Sequence, residues 1–187
     1  ERLASEHRVL VIDLWAGQQL PALDTPAAIS FAVASIDDGR IMRDVAAAKL
    51  ILGNVRSAVV GFCLGGLYAR MASAVVPGFS AAVEFYGRII YPTLSEQKPI
   101  QPLDLLFGRT CPLQCHFGSA DPIAPLSHID ELEARLASQL SPARVFRYSG
   151  CGHGFMNAHR PNWNAEAAQL AWSRTERFLD DALLTNV

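Results

Sequence analysis

Ser57-Ala-Val-Val-Gly61-Phe62-Cys63-Leu64-Gly65-Gly66 joins a short apolar run to a longer, Ala-rich one. The run ending at Phe62 has the length of a strand buried on both faces of a parallel sheet. Leu64 to Val76, stopped by Pro77-Gly78, reads as a helix. A strand that turns at once into a helix, with a cysteine at the centre of G-x-C-x-G-G, has the pattern of a nucleophile elbow. The turn must be strained for the sulfur to project from the top of the sheet. Gly61 and Gly65, two positions before and after Cys63, are expected to let strand and helix pack closely. The helix N-terminus beneath favours thiolate over thiol. An inert cysteine in a Gly-rich turn is the competing reading.

The same alternation extends along the chain. Arg8 to Leu14, Ser57 to Phe62, Ala81 to Tyr86, Pro112 to Gly118 and Ala143 to Ser149 are short apolar runs that predict buried strands. A loop with Gly17, Pro21 and Asp24 follows the first run. Thr25-Pro26 opens a helix, with Thr as N-cap and Pro at N1. Further helices are predicted over about Gly39 to Leu52, Leu126 to Leu140 and Asn162 to Leu184. Gly87 to Thr110, with its prolines and glycines, reads as a long surface excursion. The fold class is therefore α/β with a mostly parallel sheet, in a single domain over residues 1–187.

Composition excludes several classes. Half of the 187 residues are apolar and 18% are charged, too apolar for a disordered chain. A globule of this length buries roughly 70% of its unfolded surface and needs no staples. The net charge of −2 gives no electrostatic footprint for nucleic acid or an anionic membrane. No apolar run approaches the ~20 residues of a membrane span. Cys63, Cys111, Cys115 and Cys151 are too few for a disulfide scaffold and read as reduced thiols in a cytoplasmic protein.

Parallel α/β sheets carry their sites just beyond the carboxyl ends of the strands. Asp13, Trp15, Cys63, Tyr86, Asp121 and His153 hold those positions. Asp121 lies in a turn rigidified by Pro122 and Pro125, which can hold one carboxylate in place. His153 stands between Gly152 and Gly154. Nucleophile, acid and base thus follow in the chain order of a hydrolase triad. Cys63 would attack an acyl carbon, His153 would carry the proton, and Asp121 would fix the imidazole tautomer. The Leu64 N–H would supply one oxyanion donor. Trp15, Tyr86 and Phe155 are candidate substrate-binding residues, with packing roles as the alternative. Cys111-Pro-Leu-Gln-Cys115-His116 is not a metal site on spacing. Two cysteines four residues apart on a strand stand about 13 Å apart at ~3.3 Å per residue, too far for one zinc.

Gly61-Phe-Cys63-Leu-Gly-Gly66, His116-Phe-Gly-Ser-Ala-Asp121 and Gly152-His153-Gly-Phe155 resemble the dienelactone hydrolase (carboxymethylenebutenolidase) family of α/β-hydrolases. Asp13-Leu-Trp15-Ala-Gly17 is similar to the family's Pro-Asp-Leu-Tyr turn, with Ile12 in place of the proline. The resemblance implies an α/β-hydrolase fold. It also implies hydrolysis of a small ester or lactone through an acyl-cysteine, without metal or cofactor. Against the family pattern the chain is N-terminally truncated. It would lack three early strands, the loop giving a second oxyanion N–H, and a glutamate that holds the cysteine proton at rest. Asn157 stands where a substrate-binding arginine is expected, Arg160 lies three positions later, and neither Arg40 nor Arg43 matches the other arginine. Weak preference for anionic dienelactones follows. The expected partners are a small-molecule ester or lactone, with no nucleic acid and no membrane, and the chain is expected as a monomer or weak homodimer. The alternatives are a degenerate, non-catalytic protein or fragment of this fold, and a Cys-dependent thioesterase or acyltransferase.

Overall fold

A computed structural model describes residues 2–17 and 25–184. Helix α1 spans Pro26–Ala34 and is capped by the Thr25 hydroxyl, which accepts the Ala28 N–H. Helix α2, Asp38–Leu52, is capped by Asp37 and ends at Gly53, where φ is +74°. Strand β1 (Ala58–Phe62) leads into α3 (Leu64–Val75) and β2 (Ala81–Phe85). Strand β3 (Leu113–Gly118), α4 (Leu126–Ala137), β4 (Ala143–Tyr148) and α5 (Ala165–Leu184) complete the order. The four strands pair in chain order, β1-β2-β3-β4, and every pairing is parallel. Such pairing needs a crossover between neighbours. Helix α3 crosses from β1 to β2 and α4 crosses from β3 to β4.

The period-two alternation of the strands divides the core. Ala82, Leu113, Cys115 and Phe117 face α4, against Ile129, Leu132 and Leu136. Val83, Phe85 and Tyr148 face the other way, onto Ala167, Ala171 and Leu179 of α5. Helices α2 and α3 share a further cluster through Ile41, Val45, Leu67, Met71 and Ala72.

Two expectations need correction. Arg8 to Leu14 is not a strand. Val11 is 88% exposed, and Val9 and Leu10 are also exposed. An apolar run becomes a buried parallel strand only with ladder partners beside it and cover on both faces. Among the described residues no strand pairs with the outer edge of β1. The segment instead rests Ile12, Leu14 and Trp15 on the α2–α3 cluster. Asp13 closes its turn by accepting the N–H groups of Trp15 (2.9 Å) and Gly17 (2.6 Å), and Arg40 donates to the Leu14 carbonyl. The Pro21 and Asp24 part of the following loop lies outside the described residues.

The Gly87 to Thr110 excursion is not a surface loop throughout. Ile89, Tyr91, Leu103 and Leu106 are buried, and Asp104–Gly108 forms a short 3-10 helix. Lys98 is buried with them because Asp38 neutralises it at 3.1 Å. The same carboxylate accepts the hydroxyls of Tyr68 (2.9 Å) and Tyr91 (2.8 Å), and Lys98 also donates to the Ile36 carbonyl. Burial and the Asp38 charge push both phenols well above their usual range, so they remain donors. This network ties the excursion to α2 and α3. Lys98→Ala would leave Asp38 buried beside no cation and should cost about 3 kcal/mol. Urea unfolding measures that loss, and the double variant Asp38→Asn/Lys98→Met should recover part of it.

Candidate active site

Cys63 sits at φ +53° and ψ −116°, backbone that few L residues adopt. The strain is held from both sides. The Cys63 N–H donates to the Phe85 carbonyl of β2 at 2.9 Å, and its carbonyl accepts the Leu67 N–H at 3.1 Å. Close approach of β1 and α3 is what the glycines permit, although not in the expected pairing. A Cβ on Gly61 would lie 1.8 Å from the Gly65 carbonyl oxygen, and one on Gly66 would lie 2.6 Å from the Phe85 carbonyl oxygen. A Cβ on Gly65 would meet nothing within 4 Å. The steric requirement therefore falls on Gly61 and Gly66. Gly65 supplies the carbonyl that Gly61 must admit.

Asp121 follows β3 and His153 follows β4, so adjacent strand ends deliver both side chains to one place. Asp121 is buried. Its Oδ1 accepts the N–H groups of Ile123 (2.8 Å) and Ala124 (3.4 Å), and its Oδ2 meets His153 Nδ1 at 2.8 Å. His153 Nε2 lies 3.0 Å from Cys63 Sγ. The two loops are laced together. Ala120 N–H donates to the Cys151 carbonyl, Gly150 N–H to the Ser119 hydroxyl, and Asn162 to the His153 carbonyl. Gly118 is required at this seam, since a Cβ there would stand 2.2 Å from the Cys151 carbonyl oxygen.

The electrostatics favour an ion pair. Burial opposes the Cys63 thiolate. The hydrogen bond from His153, the charge of its imidazolium and the Leu64 N–H outweigh it, so the thiol falls below its ordinary value of 9.0. Burial likewise opposes the imidazolium, yet the hydrogen bonds to Asp121 and Cys63 raise His153 to about 9. The two groups titrate as one coupled system.

The remaining candidates divide. Leu64 opens α3, and its N–H contributes to lowering the Cys63 thiol. Tyr86 stands beside His153 at φ +42°, its ring edge-on to the imidazole with centroids 5.2 Å apart. Phe155 is fully buried behind it, packed on Tyr86 and Tyr148, and so supports the loop from beneath. Trp15 belongs to the α2–α3 cluster, its indole N–H buried with no acceptor. Cys151 is buried and its thiol is pushed up by that burial. Among the described residues no group of three or more His, Cys, Asp or Glu side chains could hold a metal ion.

A buried pair under the elbow went unnoticed in the sequence. Arg70 of α3 and Glu84 of β2 are both fully buried, 3.3 Å apart. Arg70 also donates to the Arg88 carbonyl at 2.6 Å, and the Cys115 thiol lies 3.4 Å from Glu84. Burial raises Glu84 to about 7, against the pull of Arg70. A Cβ on Gly87 would stand 2.4 Å from Glu84 Oε1, so the pair sits directly beneath the turn that carries Tyr86. The available signal was one charge inside each of two otherwise apolar segments.

The chain resembles solved structures of α/β-hydrolase fold. One is "Putative Dienelactone Hydrolase from Klebsiella pneumoniae", with TM-score 0.75 and 23% identity over 87% of this chain and 68% of that one. Another is a puromycin-hydrolyzing peptidase from Mycobacterium tuberculosis, with TM-score 0.61 and 19% identity over 76% of this chain and 26% of that one. These likenesses define the fold. The sequence signature of the dienelactone hydrolase family matches residues 1–183, and the chain belongs to that family. A Bradyrhizobium protein named "Probable 2-oxo-3-(5-oxofuran-2-ylidene)propanoate lactonase" is 33% identical over 91% of this chain and 71% of its own length. A Yersinia pestis protein named "Putative carboxymethylenebutenolidase" is 33% identical over 63% of this chain and 43% of its own length.

The glycine geometry separates three substitutions. Gly61→Ala and Gly66→Ala should each cost more than the ~1–3 kcal/mol of ordinary overpacking, because backbone has to move. Gly65→Ala should leave the thermal midpoint and the thiol reactivity of Cys63 close to those of the parent. Thermal unfolding with parallel thiol titration checks all three.

Proposed function

We propose that the chain hydrolyses a small ester or lactone through an acyl-cysteine, with Cys63 as nucleophile, His153 as acid and base, and Asp121 as the group that orients His153. The observation that carries this reading is the continuous chain from Cys63 Sγ to His153 Nε2 (3.0 Å) and from His153 Nδ1 to Asp121 (2.8 Å). The thiolate attacks the carbonyl carbon and the carbonyl electrons move onto oxygen. The Leu64 N–H donates to that oxyanion. Collapse breaks the C–O bond, and the leaving oxygen takes its proton from the His153 imidazolium. In a lactone the leaving group stays tethered to the acyl chain. Water then gives one proton to His153 and attacks the thioester, releasing the Cys63 thiolate and the carboxylic acid, which loses its proton to solvent.

The positions where the resemblance expects substrate-binding arginines support weak preference for anionic substrates. Arg40 is engaged by Asp44 and the Leu14 carbonyl, while Asn157 and Arg160 are exposed. The Bradyrhizobium relative is named for a lactone that carries a carboxylate, so the two substrate classes should be compared directly. The reading also takes residues 1–187 as one domain, monomeric or weakly dimeric, working in the reducing cytoplasm with all four thiols free. Among the described residues no helix is long and apolar enough to cross a membrane.

Hydrolysis of 4-nitrophenyl acetate by the chain and by Cys63→Ala tests the assignment. The variant should lose activity by on the order of a thousandfold or more. Equal activity in both proteins, or none from the folded parent, would overturn it. A dienelactone turnover far above that of neutral esters would overturn the substrate preference alone. The ion pair has its own pH signature. Cys63 should react with iodoacetamide at pH 7, where an ordinary thiol is mostly protonated. Replacing His153 by Ala removes the stabilising charge, so the rate profile should move to higher pH, toward the ordinary thiol value.

A further inference from the structure

A second cleft, about 280 Å³, lies between α5 and the β3–β4 side of the sheet. Gln114 and Arg144, register partners at the start of β3 and β4, line it. The triad leaves the opposite ends of the same strands. About four residues of strand, roughly 13 Å, separate the two places.

The cleft is built from hydrogen-bond donors. Arg144, Arg174 and Arg177 line it, and among the described residues none of the three forms an ion pair. Arg147, on the other face of the same strand, is held by both Asp130 and Glu133. The single acidic lining residue is Asp181. Arg174 is fixed in place. Its guanidinium stacks over Phe146 at 4.2 Å, and Nη1 donates to the Tyr148 hydroxyl at 3.2 Å.

From there one hydrogen-bonded chain runs through the sheet. Tyr148 Oη meets His116 Nδ1 at 2.8 Å, and His116 Nε2 meets Gln114 Oε1 at 2.9 Å; the Thr175 hydroxyl, which donates to the Ala171 carbonyl, is a second, longer acceptor for Nε2 at 3.3 Å. His116 is fully buried, and burial lowers it to about 3, so it is a neutral imidazole with one donor and one acceptor. Arg174 can only donate. The polarity that satisfies every member therefore runs Arg174 to Tyr148, Tyr148 to Nδ1, and Nε2–H to Gln114 Oε1. Gln114 is left with its NH2 group, a donor with no partner in the chain, on the cleft wall. Both ends of the network thus present N–H to the same space, with Phe146 and Phe178 as apolar flanks.

We propose that this cleft is a binding site for a small organic oxyanion, a carboxylate or phosphate on a flat apolar body, separate from the triad. Converging guanidiniums and an amide donor match the acceptor-only oxygens of such a group. The flanking Phe178 ring matches its body, the face of Phe146 being taken by Arg174. The competing account is that the arginines merely keep the outer strand β4 from pairing with another sheet.

The test titrates isotope-labelled full-length chain with benzoate, inorganic phosphate and benzamide, following the Gln114 side-chain amide and the arginine Nε–H signals by NMR. Saturable shifts with benzoate or phosphate, absent with neutral benzamide, are expected. Whichever anion saturates at lower concentration identifies the source of the oxyanion. In Arg144→Gln/Arg177→Gln, two exposed positions that leave Arg174 and its stack intact, affinity should fall at least tenfold. In Cys63→Ala it should be unchanged, which separates this site from the proposed chemistry. No saturable shift with either anion, equal shifts with benzamide, or unchanged affinity in the double variant would overturn the proposal.

Discussion

The contact between Gly61 and the Gly65 carbonyl is the constraint on which the rest of the site depends. A methyl group at residue 61 would have to share space with that oxygen. Because it is absent, β1 can turn into α3 without an intervening loop, and Cys63 is forced into left-handed backbone at the apex. The same turn sends the Cys63 N–H to Phe85 and leaves the Leu64 N–H free of a helical partner. Position, strain and local field therefore share one cause. The second close approach, Gly66 against Phe85, locks the helix to β2 and sets the neighbouring Tyr86 turn beside the imidazole.

Around that turn the charges are graded by depth. At the rim, Cys63 and His153 shift toward each other's needs, with Asp121 satisfied by two backbone N–H groups below them. One layer down, Arg70 and Glu84 form an ion pair in full burial. There the desolvation cost is high and partly uncompensated, since Arg70 Nε and Glu84 Oε1 lack hydrogen-bond partners. Such a pair is poor as a source of stability but specific in geometry. It joins the elbow helix to the strand whose end carries Tyr86. The Asp38–Lys98 network does the same for the excursion after β2, with better satisfied partners.

Much of this was readable from residue patterns. Strands β1 to β4 and their helices are apolar runs bounded by Pro and Gly, and parallel pairing follows from their alternation. Cys63, Asp121 and His153 could be found because each lies in the turn just beyond a strand's carboxyl end. What could not be read were properties of pairing and depth. Arg8 to Leu14 has the composition of a strand, but composition does not supply a ladder partner. Spacing pairs Gly61 with Gly65, whereas the second close contact falls on Gly66, because spacing alone does not say which Cα faces a neighbouring backbone. Lys98 lies within the stretch that reads as a surface excursion, and its burial could not be seen because its counter-charge, Asp38, lies 60 positions earlier. Phe155 sits beside His153 in sequence yet points into the core.

His153 reaches Cys63 across 90 residues of chain, and it arrives on the last strand of the sheet. Until β4 docks on β3, Cys63 has neither its imidazole partner nor the charge that partner brings, and it is an ordinary thiol. A nascent or partly unfolded chain therefore lacks the cysteine–imidazole pair. The thiol is lowered only when the whole sheet has assembled around it, so its ionisation reports the completion of folding.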